Sequence, residues 1–469
     1  MTDKQAAADG PIIAESWSAE YIATGRLALP IALTQLATIG MNVTDTVMLG
    51  WLGADVLAAG ALGFRLYLTC FLFAMGVVSA VGPIVAQEIG AGHTRNVRRS
   101  LRQGFWVTLS VSAPLMVLIW HAEAILVAFG QPPAVSASAE IFSRALVWGL
   151  PATVGMVALR HFLAAHGLPR PPLVATVVGI ALNAGLNWLV LAGVFGPPGS
   201  GLVGIAATTA LVQWLMLLAV VVYTVRHPRF RTLRLLDRFW VPDWPRYREI
   251  LSLGLPIAFT ILSETLLFVS LTLIVGAVQP AALAGHIIVN QLASISFMIP
   301  LGVSQAVMVR VGLAAGAGRP DAIRRAAGAA MVLAVGYAIL PAGLLLFMPE
   351  TLIALYLPAH DGASAVAARW AATLMIFGIG MILVDSPQVV GHGVLRGLKD
   401  TRVPLAITVF SYWLTSLPLA YFLAAGLGWG AQGTWVGIIF GLSLAGVLLC
   451  LRCWWRFRVA VPPSGEAAH

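Results

Sequence analysis

Charge is scarce in this sequence. Asp, Glu, Lys and Arg make up 10% of the 469 residues, against about a quarter in soluble domains. Hydrophobic residues reach 59% and mean hydropathy is +0.89, which excludes a soluble globular protein. Cysteine is scarcer still. Cys70, Cys450 and Cys453 cannot build a disulfide framework. The C-x-x-C spacing of the last two closes the final apolar run with no partner His or Cys nearby, so a structural role is expected rather than redox or metal chemistry. Catalytic signatures are missing too. There is no G-x-x-x-x-G-K-[ST], H-E-x-x-H or G-x-S-x-G, which argues against ATP hydrolysis and against an enzyme. The segment through Glu20 carries Asp3, Asp9 and Glu15 but no apolar h-region, and is not expected to be a cleavable signal. The net charge of +9 is scattered in short clusters between apolar runs, a pattern of membrane topology and not of nucleic-acid binding.

What the sequence has is length without charge. The stretches 171–225, 265–309 and 403–451 contain no charged residue, and each is long enough for two crossings of about twenty residues. The expected fold is an all-α integral membrane protein with about twelve transmembrane helices, near 27–50, 56–80, 103–121, 138–160, 172–195, 201–225, 250–276, 281–309, 326–348, 366–394, 404–426 and 431–452. With both termini in the cytoplasm, 25 of the 28 basic residues fall on that side, and only Arg65, Arg144 and Arg369 fall elsewhere, as the positive-inside rule requires. A multi-pass membrane protein with both ends in the cytoplasm is expected. The Gly-rich stretch Gly312 to Gly318 follows a membrane helix and reads as a tight turn, not a dinucleotide loop.

The halves repeat. Leu29-Pro30-Ile31-Ala32 recurs as Leu255-Pro256-Ile257-Ala258, and at the same offset of 226 Gly92 matches Gly318 and Arg98-Arg99 match Arg324-Arg325. Arg170 and Pro172 match Arg402 and Pro404 at 232. The expected organisation is therefore two six-helix bundles around a central cleft. A cytoplasmic segment occupies 1–26, the first lobe 27–225, a basic linker 226–249, the second lobe 250–452 and a tail 453–469.

Asp45, Glu264 and Asp385 stand inside apolar runs. A charge at the bilayer centre costs from about 3 to more than 10 kcal/mol, so these carboxylates are expected to serve a cavity, a partner or a cation. Asn183 and Asn187, four apart, face one way and offer amide oxygens to a cation or donors to Asp45, with Thr209 adding a hydroxyl. Asn290, Gln291 and Gln305 offer similar groups on the eighth helix, where packing is the simpler role. Pro30 and Pro256 each remove a backbone hydrogen bond and are either tolerated kinks or hinges. Phe64, Phe268 and Phe297 are candidates for contact with a flat apolar substrate.

Several ordered motifs resemble one family. Leu29-Pro30, Val43-Thr44-Asp45-Thr46-Val47-Met48, Val85-Ala86-Gln87 through Gly90-Ala91-Gly92, Phe297-Met298-Ile299-Pro300 through Val309-Arg310-Val311-Gly312, and Leu395-Arg396-Gly397 through Thr401-Arg402-Val403-Pro404 look like the multidrug and toxic compound extrusion (MATE) family, over about Leu27 to Arg452. Glu264 and Asp385 resemble the acidic pair of its NorM-like bacterial branch, and Asp45, Asn183 and Thr209 its N-terminal polar cluster. Asn187 stands where some members carry an acid. The resemblance implies an alternating-access antiporter, functional as a monomer in the bilayer. It would export amphipathic, cationic drugs or dyes against Na⁺ or H⁺, with no other cofactor, and Na⁺ is favoured at Glu264 and Asp385. The alternatives are a flippase of a lipid-linked precursor from the same superfamily, for which few arginines lie away from the inner loops, or a membrane-embedded enzyme, for which no catalytic constellation is evident.

Overall fold

Hydrocarbon offers no partner to a peptide group, so apolar runs of this length cross only as helices. The computed structural model describes residues 13–194, 201–231, 233, 235, 237, 239–357 and 362–459. Residues 1–12 of the expected N-terminal segment and 460–469 of the expected tail lie outside them. Among the described residues twelve helices are long and apolar enough to cross a membrane, and there is no strand. They are α1 (Trp17–Trp51), α2 (Ala54–Gly90), α3 (Thr94–Trp120), α4 (Pro133–Ala165), α5 (Arg170–Leu191), α6 (Gly201–Arg226), α7 (Trp244–Val278), α8 (Pro280–Gly316), α9 (Pro320–Phe347), α10 (Ser364–Gly397), α11 (Arg402–Gly426) and α12 (Gly430–Arg458).

Number and order match the sequence reading, but several ends do not. α1 starts at Trp17 rather than near 27, α7 at Trp244 rather than near 250, and α8 runs to Gly316. Hydropathy marks only the part of a helix that hydrocarbon touches, whereas the helix continues wherever its charged residues find partners. Arg246 and Arg248 therefore belong to α7 and not to the linker, and most of the Gly312–Gly318 stretch is helix, turning only at its end.

That end reveals the repeat in backbone geometry. Gly92 after α2 and Gly318 after α8 both have positive φ, at 76° and 63°. In each turn the following amide reaches back across the helix end, His93 N to Glu88 O (2.8 Å) and Arg319 N to Ala314 O (3.0 Å). This closure satisfies the last carbonyls and favours glycine. After α4 and α10 the same turn occurs at Gly167 (φ 74°) and Lys399 (φ 58°), with Leu168 N to Leu163 O (2.8 Å) and Asp400 N to Leu395 O (2.9 Å). Those two positions are 232 apart, the offset that Arg170 and Arg402 also show.

The chain divides into two compact units, 33–258 and 1–32 with 259–469. Both divisions fall at the end of the repeated Leu-Pro-Ile-Ala motif, within α1 and within α7. The first part of α1 thus packs with α8, and the first part of α7 with α2. Close approach makes this possible. A Cβ on Gly302 would stand 2.7 Å from Ala32 Cβ, and one on Gly76 would stand 2.9 Å from Ala258 Cβ. Only glycine admits neighbours so close, and the two crossings are again 226 apart.

Ion pairs fasten the same segments. In the unit containing α8, Arg310 Nε donates to Glu20 Oε1 (2.8 Å) and Arg310 Nη2 to Glu20 Oε2 (2.6 Å), with Glu20 1% and Arg310 9% exposed. In the other unit Arg246 of α7 pairs with Glu88 of α2 and with Glu249. The acid lies on the first helix in one case and the base in the other, so the repeat keeps the fastening and reverses its polarity. The linker is tied to α3 by Arg99 Nε to Asp243 Oδ2 (2.5 Å) and Trp106 Nε1 to Phe239 O (3.0 Å). Phe230 is buried against Phe162 and His166, with ring centroids 5.2 and 4.9 Å away.

Removing one member of a buried pair leaves an uncompensated charge. Glu20→Gln should therefore lower the thermal midpoint of the purified protein, corresponding to about 3 kcal/mol, and adding Arg310→Met should recover most of it. An unchanged midpoint in Glu20→Gln would show that the pair does not hold α1. His166, beyond the end of α4, supplies a pH test. Burial holds its imidazole down at about 4, against the pull of its hydrogen bond to Phe162 O and with the help of the Arg229 charge. The unfolded imidazole takes a proton near its ordinary 6.5, which the folded one refuses. Stability should fall as pH drops from 6.5 towards 4, by at most about 1.4 kcal/mol per pH unit. His166→Phe should flatten that part of a melting-temperature profile.

Candidate functional site

Asp45, in the unit 33–258, lies six residues before the end of α1, about 9 Å of helix rise. Asn183 and Asn187 project from one face of α5 and Thr209 from α6, as their spacing predicts, and all three are buried. Asn187 Nδ2 donates to Asp45 Oδ1 (2.7 Å), and Thr209 Oγ1 donates to Asp45 Oδ2 (2.8 Å). Asn183 Nδ2 in turn donates to Thr209 Oγ1 (3.0 Å), and Asn187 Nδ2 also reaches Asn183 Oδ1 (3.4 Å). Of the two amides, Asn187 donates to Asp45 directly and Asn183 through Thr209. Every donor is neutral, and no basic side chain pairs with Asp45 among the described residues. Asn187 Oδ1 is a buried acceptor with no donor. The cluster orients the carboxylate without cancelling its charge, which leaves a place for a proton or a cation.

Glu264 and Asp385 belong to the other unit, on α7 and α10. Their charges act on one another, and the charge of Arg396 acts on Glu264. Asp385 is 8% exposed, and its Oδ1 is buried without a partner. Tyr412, fully buried, lies within electrostatic reach of both carboxylates and accepts a hydrogen bond from Gln388 Nε2 (2.5 Å). Gln388 Oε1 is a further buried acceptor left open. Next to Glu264, Ser263 Oγ accepts from Trp413 Nε1 (2.6 Å). Tyr412 and Trp413 sit in a π-helical stretch of α11, Phe410–Ser416, a widening of the turn often found at functional sites. With both carboxylates ionised and Arg396 protonated, the site keeps one net negative charge, the complement of a single monovalent cation.

The sequence reading does not place Gln388, His392, Arg396 or Tyr412 at the site, and it takes Arg396 only as a loop charge within a motif. The first three follow Asp385 at i+3, i+7 and i+11, one face of a helix. That signal was present but obscured, because Arg396 read as a loop charge. Tyr412 carried no such pattern, since the π stretch breaks the 3.6-residue period around it. Other expected residues are not brought to the pair. Gln291 is exposed and Asn290 half-buried, and no hydrogen bond among the described residues links either to a carboxylate. Gln305 is half-buried on the same helix. Phe268 packs against the buried core of its unit, Phe64 stacks on Tyr67 (6.3 Å between centroids), and Phe297 is half-buried. Pro30 and Pro256 each lie inside a continuous helix. Cys453 Sγ reaches Gly391 O (3.8 Å) between α12 and α10.

Known proteins resemble this chain in sequence and in fold. The MatE family model matches residues 30–189 and 256–422. A probable multidrug resistance protein NorM of Mesorhizobium japonicum is 39% identical over 448 residues, 95% of this chain and 96% of the relative. One of Pseudomonas aeruginosa is 37% identical over 439 residues, 94% and 90%. Among solved structures, a eukaryotic MATE transporter, AtDTX14, superposes with a TM-score of 0.84 at 21% identity, over 95% of this chain and 98% of that one. An outward-facing multidrug resistance MATE transporter does so with 0.85 at 18%, over 94% and 96%; at these identities the likeness is one of fold. The family match over both halves, together with near-full-length relatives above 35% identity, places this chain in the MATE family, among the NorM-like proteins of bacteria.

Proposed function

We infer that the chain is a secondary active multidrug efflux antiporter of the bacterial inner membrane, with both termini cytoplasmic, which exports amphipathic organic cations in exchange for Na⁺ or H⁺. The observation that carries the reading is the Glu264–Asp385 pair. It is a buried Asp385 and a half-buried Glu264, the latter alone under the charge of Arg396, in a chain whose relatives are named multidrug resistance proteins. A membrane interior keeps an uncancelled charge only where a counter-ion comes and goes. An entering ion that neutralises the pair removes the attraction for a cationic drug, and a bound drug opposes the ion in the same way. Linkage makes this opposition reciprocal. It is the thermodynamic core of exchange.

The donors are all oxygens. Asp385 Oδ1 and Gln388 Oε1 are open, and Tyr412 Oη and the Glu264 carboxylate stand within electrostatic reach. That set suits a hard cation, and Na⁺ is the favoured coupling ion, with H⁺ the alternative. Asp45 is a second, separate protonatable group whose cluster supplies neutral donors only.

Glu264→Gln with Asp385→Asn should abolish ion-driven drug efflux from proteoliposomes while leaving the thermal midpoint and part of the drug binding in place. Efflux still fully driven by the ion gradient would refute the assignment, and efflux driven by a pH gradient in Na⁺-free buffer would make the proton the coupling ion. Thr209→Val removes one donor to Asp45 and one acceptor for Asn183. It should lower the thermal midpoint by an amount equivalent to about 1–3 kcal/mol, and an unaltered midpoint would show that the cluster is not held together through Thr209.

A further inference from the structure

Outside the carboxylate sites a groove of about 580 Å³ lies between α10 and α12. Its walls are apolar, among them Leu383, Val447 and Leu451, and Val447 is 58% and Leu451 55% exposed. An acyl chain is the natural occupant of such a surface in a bilayer, but bare apolarity selects no particular lipid. The groove's end does. It closes on Trp454, and Arg458 lies over that ring with its guanidinium carbon 3.6 Å from the centroid.

Arg458 pairs with no carboxylate among the described residues, whereas Arg452 and Arg456 share the single charge of Asp400 at 2.8 and 3.7 Å. This end of α12 therefore carries excess positive charge, held in place by indole stacking. The dimensions agree with one leaflet. Ser443 to Trp454 spans about 17 Å of helix rise, against roughly 15 Å for half of a hydrocarbon core about 30 Å thick. Arg458 lies one turn farther on, where headgroups begin.

We propose that this groove binds an anionic phospholipid, with one acyl chain along Val447 and Leu451 and the headgroup phosphate on Arg458. The inference does not depend on efflux, because its chemistry rests on the groove and the arginine alone. Leu383, Val384 and Pro387 of its wall flank Asp385 in the sequence of α10.

Native mass spectrometry of the full chain, titrated with dioleoyl phosphatidylglycerol or dioleoyl phosphatidylcholine, tests it. Phosphatidylglycerol should bind about fivefold more tightly, the size expected of one basic residue near a membrane surface. Arg458→Gln should remove that preference, Arg458→Lys should keep it, and Val447→Trp should fill the groove and weaken both lipids. Both positions are exposed, and thermal midpoints of the variants check that they fold. Equal affinity of the native chain for the two lipids would overturn the proposal. So would a preference that survives Arg458→Gln, binding unaffected by Val447→Trp, or displacement of the lipid by a transported dye in a one-to-one ratio, which would make the groove a drug site.

Discussion

A buried charge in hydrocarbon must be cancelled, solvated or used, and four carboxylates inside these helices meet that condition in different ways. Glu20 is cancelled by the two-pronged contact of Arg310. Asp45 is solvated by an amide and a hydroxyl, which orient the carboxylate and leave its charge in place. Glu264 and Asp385 are neither fully cancelled nor fully bonded, since the charge of Arg396 acts on Glu264 alone and Asp385 keeps an open oxygen. The gradation runs from a fastened pair, through an oriented carboxylate, to two acids that are only partly balanced.

The repeat carries scaffold and not chemistry. Turn glycines, close helix crossings and the Leu-Pro-Ile-Ala motif recur at a fixed offset. The positions that match Asp45 and Glu264 are Leu271 and Thr38. Backbone requirements such as a left-handed turn or a crossing too tight for a Cβ act on both halves alike.

The crossing helices, their order and the repeat were legible because each rests on a local property, either hydropathy or a short motif. The Asp45 cluster was legible for the same reason, since Asn183 and Asn187 declare one face by spacing and Thr209 stands in a run with little else polar. Helix ends were not, because the continuation of α1 back to Trp17 depends on Arg310, 290 residues away from Glu20. Arg396 and Tyr412 escaped for a related reason. A basic residue at the end of an apolar run looks like a loop charge, and a π-helical turn rotates Tyr412 away from where a regular helix would put it.

The grouping of the start of α1 with the later unit also has a consequence in time. Glu20 is made long before Arg310, which follows it by 290 residues. At about 5–20 residues per second, the ribosome needs roughly fifteen to sixty seconds to supply the arginine. Throughout that interval the leading helix sits at the membrane with its acid unmatched and Ala32 without the glycine it will press against. The earlier unit can mature sooner, because α7 follows α2 by far less chain. Biogenesis is therefore ordered, with the first half of α1 made well before its partner and among the last of these segments to find its seat.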